Sequence, residues 1–480
     1  MRNSGSTPKS FWPLVKLPCL CLIGATLAFA MTMLVAPYLS GKAMSSNIDP
    51  TRQLITPNQM WMESSDSQVV EDLPIGDGQL PLSSPVSKVE AEEDTDDWEV
   101  ATMKLLADEK AKKSEVLHLP SQQESKCNIF EGKWVEDHSE PLYQNETCPF
   151  LSQHQNCPGN GRPDSDYINW RWKPTDCELP RFDGFAFLEL MRGKTLAFIG
   201  DSVTRNQYEA LMCTLWQFDK PKPRGNRNFQ RWVFRAYDFN VVRLWSSWLV
   251  HVSTDEIDFA PANMTKLHLD TLDEKIAEFL PTFDVVVVAS GHWWPKTAAY
   301  IVDGKVVGGQ SWWNSSSPKQ HDVLSGYGVA MKTALKAILA TPNYKGLTIL
   351  RTYSPEHYEG GAWNTGGSCT GKTKPLNDSE LAKNSYMDTL YSHQIAAVKE
   401  AEKVEGNAER LRVMDITRPF SYRADGHPGP YRNHDPNKVV ERGPDGKPPP
   451  QDCLHWCMPG PIDTWNEYLF AMLKREFKQQ

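Results

Sequence analysis

A carboxylate, an imidazole and two cysteines crowd into the stretch Gln451-Asp452-Cys453-Leu454-His455-Trp456-Cys457-Met458-Pro459-Gly460. Asp452 and His455 stand three residues apart, a spacing that one turn of backbone brings onto a single face. A carboxylate so placed orients the ring and stabilises its protonated form, as a hydrolytic base requires. The two cysteines bracket the histidine and can hold the pair covalently. The stretch lacks a nucleophile, and the best candidate lies far upstream. There an apolar run from Lys194 enters Gly200-Asp201-Ser202, and Val203 to Phe218 reads as a helix. A serine at a strand-to-helix turn is exposed at the carboxyl edge of a sheet, at a helix start that favours negative charge. Gly-Asp-Ser alone also makes an ordinary turn and helix cap, and Asp-x-x-His alone an ordinary surface pair. Together, in the order Ser, Asp, His, they favour catalysis.

These residues carry a specific resemblance. Gly200-Asp201-Ser202, the stretch Asp452 to Gly460 and the following Asp463-Thr-Trp-Asn466 resemble the plant trichome birefringence-like family. Asp415-Ile-Thr and Tyr422-Arg-x-Asp-Gly-His-Pro-Gly429 resemble its yellow-leaf-specific branch. The resemblance covers about Lys126 to Lys474. It implies a Golgi protein that O-acetylates cell-wall polysaccharides on an SGNH-esterase-like fold. Ser202 is then the nucleophile, His455 the base and then acid, and Asp452 the group that orients the ring. The first oxyanion donor by position is the backbone N–H of Ser202. SGNH enzymes add a Gly and an Asn from later loops, yet here Ala289-Ser290-Gly291-His292-Trp293-Trp294 follows the Asp284–Val288 run without that Asn. Gly291 or the His292 side chain stands as the substitute. Arg205-Asn206-Gln207 resembles the family's version of the residues after the serine, and supplies a cation and an amide one turn away. Trp293 and Trp294 suit stacking against a sugar ring. Asp201 is expected to fix the turn.

Composition narrows the classes. The net charge is −9 and the pI about 5.8, without a basic footprint for nucleic acid. Cys19 and Cys21 lie in an apolar N-terminal run, and eight cysteines follow: Cys127, Cys148, Cys157, Cys177, Cys213, Cys369, Cys453 and Cys457. An even set on a chain entering the secretory route points to disulfides, although about 105 pairings are open to eight cysteines. The resemblance implies Cys127–Cys177, Cys148–Cys213, Cys157–Cys457 and Cys369–Cys453. A zinc site at Cys453-x-His455-x-Cys457 has the wrong spacing for common modules, so neither a metal nor a bound cofactor is expected.

The elements that must position these groups follow in order. Residues 1–16 are a short basic tail, and 17–39 run without charge for the length of a membrane-spanning helix. The expected arrangement is a type II signal anchor with everything after it luminal. Residues 40–125, acidic and rich in Ser and Pro, form the expected disordered stem. Residues 126–180 are aromatic and cysteine-dense, a small subdomain, and 181–480 the esterase-like domain. In the latter, Thr195–Ile199, Asp284–Val288, Gly346–Thr352 and Leu411–Ile416 read as buried strands. Trp232–Phe234, Asn240–Leu244 and Val250–Val252 are β-like; Leu272–Phe279, Tyr327–Leu339 and Ser379–Val404 read as helical. The expected fold is α/β, a parallel sheet with helices on both faces and chemistry at its carboxyl edge. The loop Tyr353–Asn364 should overhang that edge, and the Arg442–Pro450 run should deliver Asp452. Sequons at Asn145, Asn263, Asn314 and Asn377 fit a glycosylated luminal domain.

The resulting expectation is acetyl transfer from acetyl-CoA or an acetylated carrier, such as a Golgi membrane protein, to xylan, xyloglucan, mannan or pectin. An esterase using water as acceptor, or a non-catalytic protein bridging pectin to other polymers, are the rival readings.

Overall fold

The computed structural model describes residues 127–226, 229–313, 319–435 and 449–478. The expected tail, anchor and stem lie outside the described residues, as do Cys19, Cys21, Asn314 and most of the Arg442–Pro450 run.

The architecture follows from how apolar residues alternate along the central strands. In β3 (Thr195–Gly200), Leu196 and Phe198 point to one face and Ala197 and Ile199 to the other. In β9 (Val285–Val288), Val285 and Val287 part from Val286 and Val288 in the same way, all fully buried. A strand apolar on both faces needs a cover on each. One cover is α1 (Gly184–Leu190), α2 (Ser202–Trp216) and α6 (Asp463–Lys478). The other is α3 (Glu274–Phe279), α4 (Val323–Ala340) and α5 (Ser385–Ala401).

The seven-stranded sheet has the order β13-β12-β9-β3-β6-β5-β4. Here β12 is Leu347–Arg351, β13 Leu411–Met414, β6 Phe239–Trp245, β5 Phe229–Phe234 and β4 Lys222–Asn226. The strands from β13 to β6 are parallel, while β5 and β4 join antiparallel. The expected all-parallel sheet is therefore mixed: the short links between β4, β5 and β6 leave no room for a crossover helix.

A second, four-stranded sheet has the order β11-β10-β8-β7 (Lys305–Gln310, Ala298–Val302, Lys266–Leu272 and Val250–Ser253). Only β7 was foreshadowed in the sequence. Leu272–Phe279 is not one helix: Leu272 ends β8, and Asp273 caps the short α3 by accepting from the Lys275 N–H.

The cysteine-rich segment forms an antiparallel hairpin, β1 (Gly132–Glu136) with β2 (Trp170–Pro174). It joins the core through aromatic contacts, including Trp134 against Phe420, and through disulfides. All four are present: Cys127–Cys177, Cys148–Cys213, Cys157–Cys457 and Cys369–Cys453. The second ties the segment to α2, and the third to the segment after His455. Asn263 and Asn377 are exposed and Asn145 is half-buried.

Candidate active site

Because β3, β6, β9 and β12 run parallel, the residues that follow each of them meet at one edge of the sheet. The Gly200-Asp201-Ser202 turn leaves β3 there. Gly200 is required: a Cβ would lie 2.2 Å from the Ala289 carbonyl oxygen and 2.4 Å from the Thr204 hydroxyl. Asp201 caps α2, its Oδ1 accepting from the N–H of Val203 at 3.0 Å and of Thr204 at 3.4 Å. Ser202 thus opens the helix, where unpaired N–H groups favour an anion.

Ser202 meets His455 across the fold. Its Oγ lies 2.8 Å from His455 Nε2, and His455 Nδ1 lies 2.9 Å from Asp452 Oδ2. A carboxylate at Nδ1 requires that nitrogen to carry the proton, which leaves Nε2 bare to accept from the serine. Asp452 Oδ1 accepts the backbone N–H of His455 at 3.0 Å and of Leu454 at 3.2 Å, so one carboxylate fixes both ring and backbone. Burial alone would raise its pKa, but the charge and hydrogen bond of His455, with Arg432 behind them, hold it well below the ordinary carboxylate range. Arg432 Nε stands 3.7 Å from Asp452 Oδ2.

The segment carrying Asp452 and His455 is held from several sides. Gly429 and Asp452 exchange backbone hydrogen bonds, both at 2.9 Å. Cys453 is tied to Cys369 and Cys457 to Cys157. Asn206, one turn beyond the serine, accepts the Trp456 N–H at 2.8 Å and donates to the Trp456 carbonyl at 3.3 Å. Its amide is buried and committed to this clamp, not turned toward a substrate. Arg205 is also engaged, its Nε 3.6 Å from Glu209 Oε1.

His292 lies behind the turn. Its Nε2 donates to the Ser354 carbonyl at 2.9 Å, its Nδ1 faces Asp201 Oδ2 at 3.3 Å, and its ring stacks on Tyr353 at 4.4 Å. With both nitrogens engaged by acceptors, His292 supports Asp201 and has no donor left for an oxyanion. Burial works against the Asp201 charge, but His292, with Arg351 and the Val203 N–H, holds its pKa below the ordinary value. Of the two substitutes for the missing Asn, the backbone of Gly291 remains. Its φ of 154° and the Tyr353 ring, 2.5 Å from where a Cβ would sit, both demand glycine.

Trp293 and Trp294 part company. Trp294 is buried against Tyr300 and Tyr327 and belongs to the core. Trp293 is half-buried and meets Trp245 and Trp248 edge-on, at 5.8 and 5.3 Å between ring centres. Trp245 pairs with Gly200 in the β3–β6 register, so this aromatic group adjoins the serine turn. Periodicity did not single out Trp245 or Trp248, because their role depends on that register. Gln207 is buried and accepts from Arg351, the 3.4 Å contact being inside the fold. Among the described residues no cluster of His, Cys, Asp and Glu could hold a metal ion.

Residues 179–472 match the family described as PC-Esterase, the GDSL/SGNH-like acyl-esterase family found in Pmr5 and Cas1p, and residues 125–178 match the PMR5 N-terminal domain. The chain is similar to Arabidopsis thaliana protein YLS7, 55% identical over 359 residues, covering 74% of this chain and 72% of the relative. It is similar to Arabidopsis thaliana protein trichome birefringence-like 18, at 54% over 358 residues, 74% of this chain and 67% of the relative. To xyloglucan O-acetyltransferase 4 of Populus trichocarpa it is 38% identical over 360 residues, 74% of this chain and 83% of the relative.

Proposed function

Since the chain belongs to the PC-esterase family, among its trichome birefringence-like members, we propose that it transfers acetyl groups to hydroxyls of a plant cell-wall polysaccharide through Ser202, His455 and Asp452. The observation that carries this reading is the 2.8 Å contact between Ser202 Oγ and His455 Nε2, with Asp452 at the far nitrogen.

His455 takes the Ser202 proton as Oγ attacks the acetyl carbonyl of the donor. In this reading the N–H groups of Ser202 and Gly291 are the donors for the developing oxyanion, aided by the start of α2. Collapse of the tetrahedral species releases the deacetylated donor, which takes the proton from His455. The acyl-serine then accepts an incoming sugar hydroxyl, whose proton passes to His455, and a second collapse restores the serine. Asp452 stays ionised throughout and keeps Nδ1 protonated.

Water would divert the acyl group, so the acceptor must occupy the approach to Ser202. Trp293, Trp245 and Trp248 offer that acceptor apolar faces beside the nucleophile. The acceptor is a hemicellulose of the xyloglucan type, a reading supported by the similar xyloglucan O-acetyltransferase. The donor is acetyl-CoA or an acetylated carrier protein in the membrane. The location is the Golgi lumen, behind a type II anchor at 17–39; four disulfides support an oxidising compartment.

The test is mass spectrometry of the chain with an acetyl donor and a panel of wall oligosaccharides. One acetyl gained on one oligosaccharide, and lost with Ser202→Ala, is the expected result. Loss of acetyl from pre-acetylated oligosaccharides without any gain would make the protein an esterase. Binding without either change would leave a non-catalytic bridging protein and overturn the proposal.

A further inference from the structure

The Tyr422–Gly429 motif has no part in acyl transfer as described, yet it delivers a histidine to the back of the active site. His427 is buried, and its Nδ1 lies 2.7 Å from the backbone carbonyl oxygen of His455. Its Nε2 lies 2.7 Å from Nδ1 of His357. The remaining nitrogen of that ring, His357 Nε2, lies 2.9 Å from the Ser421 carbonyl oxygen.

Three contacts in a row need three protons. A carbonyl only accepts, so His427 Nδ1 and His357 Nε2 must each carry one. Two neutral imidazoles then have none left, and two bare lone pairs would face each other at 2.7 Å. Rotating either ring's tautomer fills that gap only by stripping the donor from a carbonyl contact. One additional proton satisfies all three contacts at once.

We propose that His357 and His427 share this proton as an imidazole–imidazolium pair, and that it makes them positioning residues which fix the backbone of the catalytic His455. The surroundings suit a single delocalised cation. The His427 ring stacks on the Trp456 indole at 4.2 Å between centres, a face that attracts positive charge. Burial holds both rings below the ordinary imidazole range, His427 well below it, and the hydrogen bonds to the His455 and Ser421 carbonyls oppose that only in part. The shared proton is required by the three contacts themselves.

The charged groups around the pair are largely matched among themselves. Arg423 and Asp425 form a buried ion pair at 2.8 Å. Arg162 pairs with Asp164 at 2.8 Å, and also donates to the His427 carbonyl at 3.0 Å. Lys372 and Glu359 pair at 2.9 Å, and Asp452 is held by His455 and Arg432. When the shared proton leaves, one of the two carbonyl contacts must break or the rings must part. Either change loosens the His455 carbonyl and the placement of Nε2 opposite Ser202.

The test uses the full-length chain labelled with nitrogen-15 at its 12 histidines. A far-downfield proton coupled to one nitrogen of each ring is expected in the wild type and in Ser202→Ala, and is expected to vanish in His357→Gln and His427→Gln. If the wild-type pair shows two neutral rings from about pH 5 to 8, the proposal is overturned. That spectrum decides even where the variants fail to fold, and it does not depend on the acetyl-transfer reading. The kinetic arm does rest on that reading: kcat should fall on the alkaline side as the pair loses its proton, with KM unchanged. The amide of His357→Gln can donate to His427 without an extra proton, so its alkaline limb should flatten; an identical limb in that variant would count against the pair.

Discussion

Asn206 and Trp456 lie 250 residues apart and hydrogen-bond each other in both directions, N–H to Oδ1 at 2.8 Å and Nδ2 to carbonyl at 3.3 Å. The clamp joins the second turn of the nucleophile's helix to the residue after His455. Together with the two flanking disulfides, it holds the two halves of the site, remote in sequence, at hydrogen-bonding distance. Asn206→Ala should leave both backbone groups of Trp456 buried and unpaired, at a cost of roughly 2–4 kcal/mol. Thermal unfolding should show that loss, and kcat should fall by more than about tenfold, because small displacements in a reacting pair are costly. A variant with normal stability and normal kcat would show that the disulfides alone hold the site.

Asp452→Asn separates charge from shape. The amide fits the same space, but it stabilises the wrong tautomer of His455 and no longer offsets its positive charge. Turnover should drop by about 10³–10⁴-fold with little change in binding, by analogy with other triads. The wild-type carboxyl has its folded pKa depressed. Its contribution to stability is therefore present above the unfolded value near ~4, and is lost only as pH falls through the much lower folded value. Acid titrations comparing the variant with the wild type should accordingly show no step from Asp452 at neutral pH.

Asp463 predicts the opposite dependence. Its carboxyl is enclosed although the residue as a whole is half-buried, accepting from the Gly460 N–H and the Tyr143 hydroxyl, both at 2.9 Å. Burial raises its pKa to about 7. Between the unfolded value near ~4 and 7 the folded state binds the extra proton, so stability declines as pH rises through that window and levels off above it. Asp463→Asn removes the titration while keeping an acceptor for Gly460 and a donor for Tyr143. The melting temperatures of the two proteins should be close near about pH 5, and the variant should melt higher near about pH 8. Parallel curves across that range would mean that the carboxyl reaches solvent.

What could be read in the sequence was whatever depends on local pattern. The apolar run Val285–Val288, the Gly-Asp-Ser turn and the Asp452–His455 spacing are each written within a few residues, and the structure brings Ser202, Asp452 and His455 together. The disulfide partners came from family resemblance, since chain spacing does not choose among pairings. The missed features depend on register and on long-range approach. Strands β10 and β11 lack alternation, while β8 alternates only over Leu267 and Leu269, too short a run to stand out. Trp245 meets Trp293 only because β6 lies next to β3, and His357 meets His427 only because two loops 70 residues apart converge. His292 was read as a stand-in oxyanion donor, and sequence alone gave no sign of the Ser354 carbonyl that occupies its second nitrogen.

The disulfides flanking the catalytic segment should matter more to turnover than to the fold as a whole. Cys453 of Cys369–Cys453 is adjacent to Asp452 and Cys457 of Cys157–Cys457 lies two residues after His455, whereas Cys127–Cys177 lies within the small subdomain. Replacing Cys369 and Cys453 by serine together should cost about 2–4 kcal/mol in stability and lower kcat. The same change at Cys127 and Cys177 should cost stability with kcat nearly intact. Equal kcat losses in both double variants would argue that the cystines act only through global folding.

The aromatic group beside the serine turn yields the last prediction. Trp293 is half-buried, its ring lies 3.1 Å below Lys296 Nζ, and Trp245 and Trp248 stand edge-on to it. A ring fixed by three neighbours loses little freedom on binding, so its exposed surface can serve a sugar at low entropic cost. Stacking binds the acceptor alike before and during transfer, and therefore acts on KM rather than on the chemical step. Trp293→Ala should raise the KM for the oligosaccharide by about tenfold, the equivalent of ~1.4 kcal/mol, and leave the rate of acyl-serine formation unchanged. Trp294→Ala offers the contrast, because that ring is in the core and its loss should cost about 3–5 kcal/mol of stability. If Trp293→Ala instead slowed acyl-serine formation at unchanged KM, the aromatic group would serve the donor, and the acceptor would have to approach along the loop after β12.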